Sequence, residues 1–283
     1  MQAKKSGEFI IRQMKRKDLD IAVEWAAREG WNPGLHDSDS FYYTDPAGFF
    51  IGEIDGEPVG TISAVAYNDE FGFIGFFMVK PEYRGKRYGI YLAKAALDYL
   101  GDRNIGLDGV VAKVKNYKHY GLKVAYHNIR YEGIGCGDPI DRVISLDKIR
   151  FEDLVSYDTR MFSAPRPQFL KRWIKQPDGK AVGVMSDGEI LGYGVIRKCR
   201  IGYKIGPIFA DNPEVAEMIF NSLSSGFPGQ PVFLDTPGAN PEAVELANRH
   251  KMKKVFETVR MYSKDTNILP VKNIFGVTSF ELG

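Results

Sequence analysis

Val79-Lys80-Pro81-Glu82-Tyr83-Arg84-Gly85-Lys86-Arg87-Tyr88-Gly89-Ile90 is the stretch on which the fold of this chain turns. Just upstream, Phe71 to Val79 is almost continuously apolar, as a strand buried on both faces must be. Pro81 has no N–H to offer a ladder, so the strand is expected to end there. Downstream, Gly89 to Leu100 has helical apolar spacing, with Ile90, Ala93, Leu97 and Leu100 expected along one buried side and Gly101 as the stop. A buried strand therefore runs through a tight turn into a helix. The first turn of a helix leaves backbone N–H groups unpaired at the positive end of its dipole, and both features favour an anion. Gly85 and Gly89 let the backbone come close to such a ligand, and Arg84, Lys86 and Arg87 add charge around it. The residues alone specify an anion site of unnamed ligand, with a plain structural turn as the alternative. A P-loop is excluded because no Gly-Lys-Ser/Thr ending is present, and the absence of GxGxxG excludes a dinucleotide fingerprint.

On the N-terminal side, Glu8 to Met14 reads as a strand, and Asp18 to Glu29 as a helix with Ile21, Ala22, Trp25 and Ala26 on one face. Trp31-Asn32-Pro33-Gly34 breaks that helix. The strands Gly48 to Ile54 and Pro58 to Tyr67 flank the hairpin turn Asp55-Gly56-Glu57. On the C-terminal side follow a strand from Leu107 to Val114, a short helical segment through Tyr117 and Tyr120, and a strand from Val124 to Tyr131. The order β-α-α-β-β-β-α-β-α-β implies an α/β (α+β) fold, a mixed sheet flanked by helices.

After Gly137-Asp138-Pro139 the same order returns. Helices are expected over Phe151 to Phe162 and Pro167 to Gln176, then strands on either side of a second Asp-Gly-Glu turn, Asp187-Gly188-Glu189. Tyr203 to Ala210 stands where Phe71 to Val79 stood, followed by a helix capped at Asn212-Pro213-Glu214. Val255 to Ser263 and Gly276 to Phe280 are the last strand candidates. We read this as an internal duplication, seen in element order rather than in identity, with domains spanning residues 1–137 and 138–283.

Composition narrows the function classes. The chain has 283 residues, 44% of them hydrophobic, enough for two cores. Its 38 basic and 36 acidic residues leave a formal charge of +2, without the basic excess of a nucleic-acid binder. Cys136 and Cys199 have no partner at a metal-ligand spacing, so no metal is expected, and two isolated cysteines fit a reducing compartment. No run of about 18 apolar residues and no leader-like segment is present, which leads to the expectation of a cytoplasmic protein that does not engage a membrane.

The turn and its setting resemble the GNAT superfamily of acyl-CoA N-acyltransferases. That family's phosphate turn reads Gln/Arg-x-x-Gly-x-Gly/Ala after its fourth strand; Arg84 and Gly89 match its ends, and Arg87 stands where the middle Gly belongs. A non-glycine residue there is expected to keep a negative φ. The Pro81-Glu82-Tyr83-Arg84-Gly85 lead-in is also of the family's type. The resemblance implies an acyl-CoA cosubstrate, acetyl-CoA first, with the N–H groups of Arg84, Gly85, Lys86, Arg87, Tyr88 and Gly89 on its pyrophosphate. It also implies that Phe77, Met78 and Val79 pair with the pantetheine amides like an added strand. Tyr117-Lys118-His119-Tyr120-Gly121-Leu122 resembles the family's Tyr-x-x-x-Gly-Phe segment, which makes Tyr117 the implied general acid for the departing thiolate, with Tyr120 as its alternative.

Many family members carry a basic carboxylate on the fourth strand, and Phe71 to Val79 has none. Glu29, Asp37, Asp39, Glu53 and Glu70 are the candidates elsewhere, each also readable as a surface acid. In the second half, Ala210-Asp211-Asn212-Pro213 lacks the turn pattern, and Asp211 would repel a pyrophosphate, so that half is expected to be a degenerate copy contributing to the acceptor pocket or to stability. The expected reaction is acyl transfer, acetyl first, to an amine of a small molecule or peptide. A non-catalytic acyl-CoA-binding or regulatory module, and an aminoacyl or long-chain acyltransferase with paired domains, stay open beside it. Acceptor and oligomeric state are not set by the sequence.

Overall fold

The structure is a computed structural model that describes residues 7–283; Met1 to Ser6, part of the segment read above as no leader, lie outside the described residues. The first half runs β1 (Phe9–Gln13), α1 (Arg16–Arg28), α2 (Asp37–Tyr42), β2 (Phe49–Ile54), β3 (Glu57–Ala66), β4 (Phe71–Val79), α3 (Tyr88–Leu100), β5 (Asn104–Val110), α4 (Val114–His119) and β6 (Lys123–Ile134). The second half runs β7 (Val143–Ser145), α5 (Phe151–Phe162), α6 (Pro167–Trp173), β8 (Lys180–Ser186), β9 (Glu189–Lys198), β10 (Tyr203–Ala210), α7 (Pro213–Ser224), β11 (Pro231–Pro237), α8 (Pro241–Arg249), β12 (Lys253–Tyr262) and β13 (Ile274–Gly276). The element order expected from the sequence therefore repeats, and the pairings repeat with it. β1–β2 and β7–β8 are antiparallel hairpin-side pairs, while β4–β5 and β10–β11 are the parallel ones. Both Asp-Gly hairpins turn through positive φ, at Asp55 and Gly56 and again at Asp187 and Gly188, the conformation a tight hairpin needs.

All thirteen strands join one sheet, in the order β1-β2-β3-β4-β5-β12-β6-β11-β10-β9-β8-β7, with β13 beside β10. The two halves have exchanged their last long strand. β12, from the second half, pairs with β5 of the first over Thr258↔Val110 to Tyr262↔Gly106, and β6 of the first half pairs with β11 of the second. β6 and β12 also pair with each other along Lys253↔Glu132 to Tyr262↔Lys123. Neither half closes its own sheet.

Helices pack on both faces. α3 buries Leu92, Ala96 and Leu100 against Phe50, Ile62, Ala64 and Ile105. This corrects the expected face: Ile90 and Leu97 are exposed, and only Leu100 of the expected stripe is fully buried. The helix is apolar almost all round, so spacing alone could not choose its buried side. Burial of a leucine contributes roughly 1.5–3 kcal/mol, and Leu92→Ala would cost about 2–5 kcal/mol. Across the sheet, α1, α2, α5, α6 and the chain's last residues share a single core that joins Leu19, Phe41 and Phe76 to Tyr157, Trp173, Tyr193 and Phe280. Two further expectations shift. The strand expected over Leu107–Val114 ends at Val110, where a 3-10 turn leads into α4. Of the strand expected over Gly276–Phe280 only Gly276 is in a strand, and the tail beyond it folds as a turn over the sheet. No described helix is long and apolar enough to cross a membrane.

Candidate active site

β4 and β5 run side by side only from Phe71↔Asn104 to Ile74↔Leu107. Beyond Ile74 they diverge as β4 bulges, while β5 continues along β12 on its other edge. The β3–β4 register slips between Thr61↔Met78 and Ser63↔Gly75, and Phe76 sits at φ 46° within the slip. The β5-side edge of Gly75 to Val79 is left with no partner strand among the described residues. Along this edge Phe77 is exposed, Met78 is buried and Val79 is half-buried. The structure thus opens a slot at the three residues expected to meet an extended ligand.

The slot leads to the turn. Arg84 does not point into it: its Nε donates to the Val79 carbonyl at 2.9 Å, and a terminal nitrogen donates to Glu29 at 2.7 Å. Arg84 therefore ties the turn to the end of β4 and to the end of α1. From Gly85 to Gly89, no backbone N–H donates to any described residue; the next donors are Ile90 and Tyr91, both to the Arg87 carbonyl. Gly85 has φ 79°, and a Cβ on Gly89 would lie 3.3 Å from the Phe77 ring, so bulk at Gly89 would press on the slot wall. Lys86 sits 5.1 Å over the Tyr83 ring, and Tyr88 stacks on Phe9 at 4.4 Å.

Arg87 departs from expectation. It occupies the left-handed region at φ 67°, ψ −1°, as the residue before the first turn of α3. Glycine reaches this conformation freely, whereas a side chain there costs on the order of 1 kcal/mol. The departure at the middle glycine therefore changes the residue while keeping the glycine's backbone.

Tyr117 comes from α4 and packs on the opposite bank: a Cβ on Gly109 of β5 would lie 2.5 Å from its ring. It is half-buried beside Leu107, Val259 and Met261, and burial holds its phenol above the ordinary tyrosine value. Tyr120 is 62% exposed, which leaves Tyr117 as the tyrosine packed on β5 at the slot. The candidate bases scatter. Glu29 is bound to Arg84, Asp39 to Arg16 and Glu53 to Arg12, while Glu70 lies exposed in the turn before β4. Asp37 is buried, but it accepts from Gly34 N–H and from Arg197 Nε at 2.9 Å.

Several charged groups invisible to motif reading are buried in the sheet instead. Asp108 of β5 is buried and accepts from Arg260 Nε at 2.8 Å, from a second Arg260 nitrogen at 2.7 Å and from Asn128. Between the halves, Arg130 and Asp235 form a buried bidentate pair at 2.6 and 2.7 Å. Lys204 Nζ donates to the Trp31 and Asn32 carbonyls. For Asp108, Lys204 and Asp235 the available signal was a single charged residue inside its strand, whereas Arg130 and Arg260 sit on strands that carry several charges and stood out by nothing.

The corresponding turn of the second half is built differently. Asn212 caps α7, its side chain accepting from Val215 N–H at 2.9 Å, and Pro213 at the first helical position has no N–H to leave free. Asp211 accepts from the Tyr157 hydroxyl at 2.9 Å. This helix start is capped by its own side chain and presents an acid.

The chain as a whole is similar to known proteins. Residues 17–121 match the profile of the acetyltransferase (GNAT) family, and residues 154–276 match an acetyltransferase (GNAT) domain. Over 271 residues the chain is 31% identical to holothin acyltransferase of Pseudoalteromonas sp. (strain SANK 73390), covering 94% of this chain and 92% of that protein. The chain belongs to the GNAT family. It is a tandem GNAT acyltransferase, and its fold matches a putative acetyltransferase of Pyrococcus horikoshii at TM-score 0.81 and 22% identity, over 97% of this chain and 96% of that one. A tandem GNAT protein from the clavulanic acid biosynthesis pathway matches at TM-score 0.62 and 11% identity, over 90% and 98%. In GNAT terms, the diverging β4 and β5, the bulge at Phe76 and the uncapped start of α3 form one continuous feature, present once in this chain.

Proposed function

We propose that the chain moves an acyl group, acetyl in the first instance, from acyl-CoA to an amine of a small molecule, through the first of two domains spanning residues 1–137 and 138–283. One observation carries this reading: the N–H groups from Gly85 to Gly89 have no partner among the described residues and stand at the positive end of α3, next to a strand edge that no described strand pairs. That arrangement fits a pyrophosphate followed by an extended amide chain. The near full-length likeness to an acyltransferase named for holothin supports a small-molecule acceptor over a peptide. The free thiols Cys136 and Cys199 support a reducing, cytoplasmic setting.

In this reading Gly85 to Gly89 hold the diphosphate; the Arg84 N–H, expected among them, instead donates to the Pro81 carbonyl at 3.2 Å, and the Arg84 side chain braces the turn through Val79 and Glu29. The edge from Phe77 to Val79 pairs with the pantetheine amides, and its main-chain dipoles steady the oxyanion formed during attack. The bound thioester supplies the activated carbonyl. Tyr117 donates its proton to the sulfur as the C–S bond breaks. A phenol held above its ordinary value keeps that proton at neutral pH, as an acid must.

The test is free-thiol release from acetyl-CoA across an amine panel, read beside thermal melting with acetyl-CoA alone. Release with at least one amine supports transfer, and Tyr117→Phe should then lower kcat about 100-fold with coenzyme affinity unchanged. The missing β4 carboxylate and the arginine at the middle-glycine position favour a second reading, a coenzyme-binding module. Stabilisation by acetyl-CoA with no thiol release from any amine would select it. No stabilisation by any acyl-CoA would sink both.

A further inference from the structure

The chain's last residues lie on the site. A Cβ on Gly75 of β4 would collide with the carbonyl of Glu281, so the tail backbone rests directly on β4 at the point where β4 leaves β5. Gly283 packs on Phe73 of the same strand, and the Tyr67 hydroxyl donates to the Leu282 carbonyl at 2.6 Å. The tail covers the face of β4 opposite α3, because α3 packs on Gly72 through Leu100 while Phe73 and Gly75 face away from it. Asp108 with Arg260 lies on this same face: Gly106, two residues before Asp108, touches Phe73, and Arg260 sits 5.0 Å over the Phe73 ring.

Glu281 is 3% exposed, and its Oε1 has no hydrogen-bond partner among the described residues. It faces charges from several elements: Lys204 on β10, Arg130 on β6, Arg197 on β9 and Asp37 on α2. Arg130 is committed to Asp235, and Arg197 gives its Nε to Asp37, yet both terminal nitrogens of Arg197 are buried without a partner among the described residues. Ser63 Oγ is buried and unpartnered too, on β3 directly opposite Gly75. Gln176 Oε1 is another such atom; its Nε2 donates to Asp37 at 3.2 Å, and Gln176 lines a cleft of about 570 Å³ between α2 and α6. Unsatisfied polar atoms of Gln176 and Arg197 thus flank the fully engaged Asp37, and those of Glu281 and Ser63 lie in the tail and opposite Gly75. Buried polar atoms without a protein partner call for a water, an ion or a ligand group to complete them.

We propose that Glu281, carried across from the second half by the tail, is the carboxylate that β4 lacks: it receives the acceptor amine and takes its proton. The inference rests on the acyl-transfer reading above. The amine nitrogen's lone pair forms the new C–N bond at the thioester carbonyl, and its proton passes to Glu281 Oε1. The C–S bond then breaks, and Tyr117 protonates the departing sulfur from the other face of the slot. Burial, only partly offset by Lys204, holds the Glu281 carboxyl above the ordinary glutamate value, which brings a carboxylate nearer to the strength a base needs at neutral pH.

The test uses the full chain with acetyl-CoA and whichever of holothin, tyramine and spermidine the wild type acylates fastest. Glu281→Gln should lower kcat by about 100-fold or more, leave the acetyl-CoA dissociation constant within about twofold, and abolish the acid limb of the kcat/KM–pH profile. Glu281→Asp should retain that limb with intermediate turnover, which keeps the proposal falsifiable if the glutamine variant does not fold. In the folded protein this raised carboxyl subtracts stability as pH rises through its value, so Glu281→Gln should melt no lower than wild type at pH 8. Turnover within about threefold of wild type, or an unmoved acid limb, would overturn the assignment. A wild type that acylates none of the three amines would instead count against the parent reading.

Discussion

The starts of α3 and α7 occupy the same place in two copies of one topology, yet they have opposite chemistry. At α3 the backbone N–H groups from Gly85 to Gly89 have no acceptor among the described residues, the N-cap Arg87 is left-handed, and the surrounding charge is positive. At α7, Asn212 takes the N–H of Val215, Pro213 has none to leave free, and Asp211 presents an acid already engaged by Tyr157. An uncapped helix start is a local loss of stability, typically about 1 kcal/mol relative to a good cap. The first half accepts that loss where a ligand can recover it, and the second half does not. The difference teaches that a duplicated fold can divide its labour by the treatment of one helix end.

The largest effect that would break this comparison belongs to Gly89→Trp. Its side chain would enter the Phe77 wall, so acetyl-CoA should bind at least about 100-fold more weakly, and the roughly 2.7 kcal/mol of stabilisation expected at a hundredfold excess over Kd should vanish from the melting curve. Undiminished coenzyme binding would place the ligand elsewhere. Next in size is Asn212→Ala. It should cost about 1 kcal/mol, or a fall of about 2–4 °C in Tm, with no change in acetyl-CoA affinity measured by calorimetry. A loss of affinity would mean that the second helix start also serves the coenzyme. Smallest is Arg87→Gly. Relief of the left-handed arginine is offset by the extra freedom of glycine in the unfolded chain, leaving a gain of about 0.5 kcal/mol without ligand. Removal of one cation should weaken acetyl-CoA binding a few-fold, more at low salt than at high. A marked fall in Tm would show that the Arg87 side chain supports the turn in some other way.

Much of this organisation was legible in the residues. Asp55-Gly56 and Asp187-Gly188 announced the hairpins because each pair can adopt positive φ at little cost, and both do. Arg84, Gly85 and Gly89, between an apolar run and a helical one, marked the turn, and the structure places an uncapped helix start there. Asn212-Pro213 announced the cap on α7. Other features were not legible. The buried stripe of α3 is Leu92, Ala96 and Leu100 because that side meets Phe50 and Ile62, and a helix apolar all round offers no clue to its partner. The φ of Arg87 is imposed by the geometry of the turn it closes.

Local pattern determined which segments are strands and helices, their repetition, and the chemistry of each helix start, since these depend on residues within a few positions of one another. Tertiary structure alone decided that β12 inserts between β5 and β6, and that Glu281 lies on Gly75. Both are contacts between distant parts of the chain. An apolar alternation states that a strand must be paired but leaves its neighbour open. A lone acid between Phe280 and Leu282 acquires its meaning only from the strand on which it comes to rest.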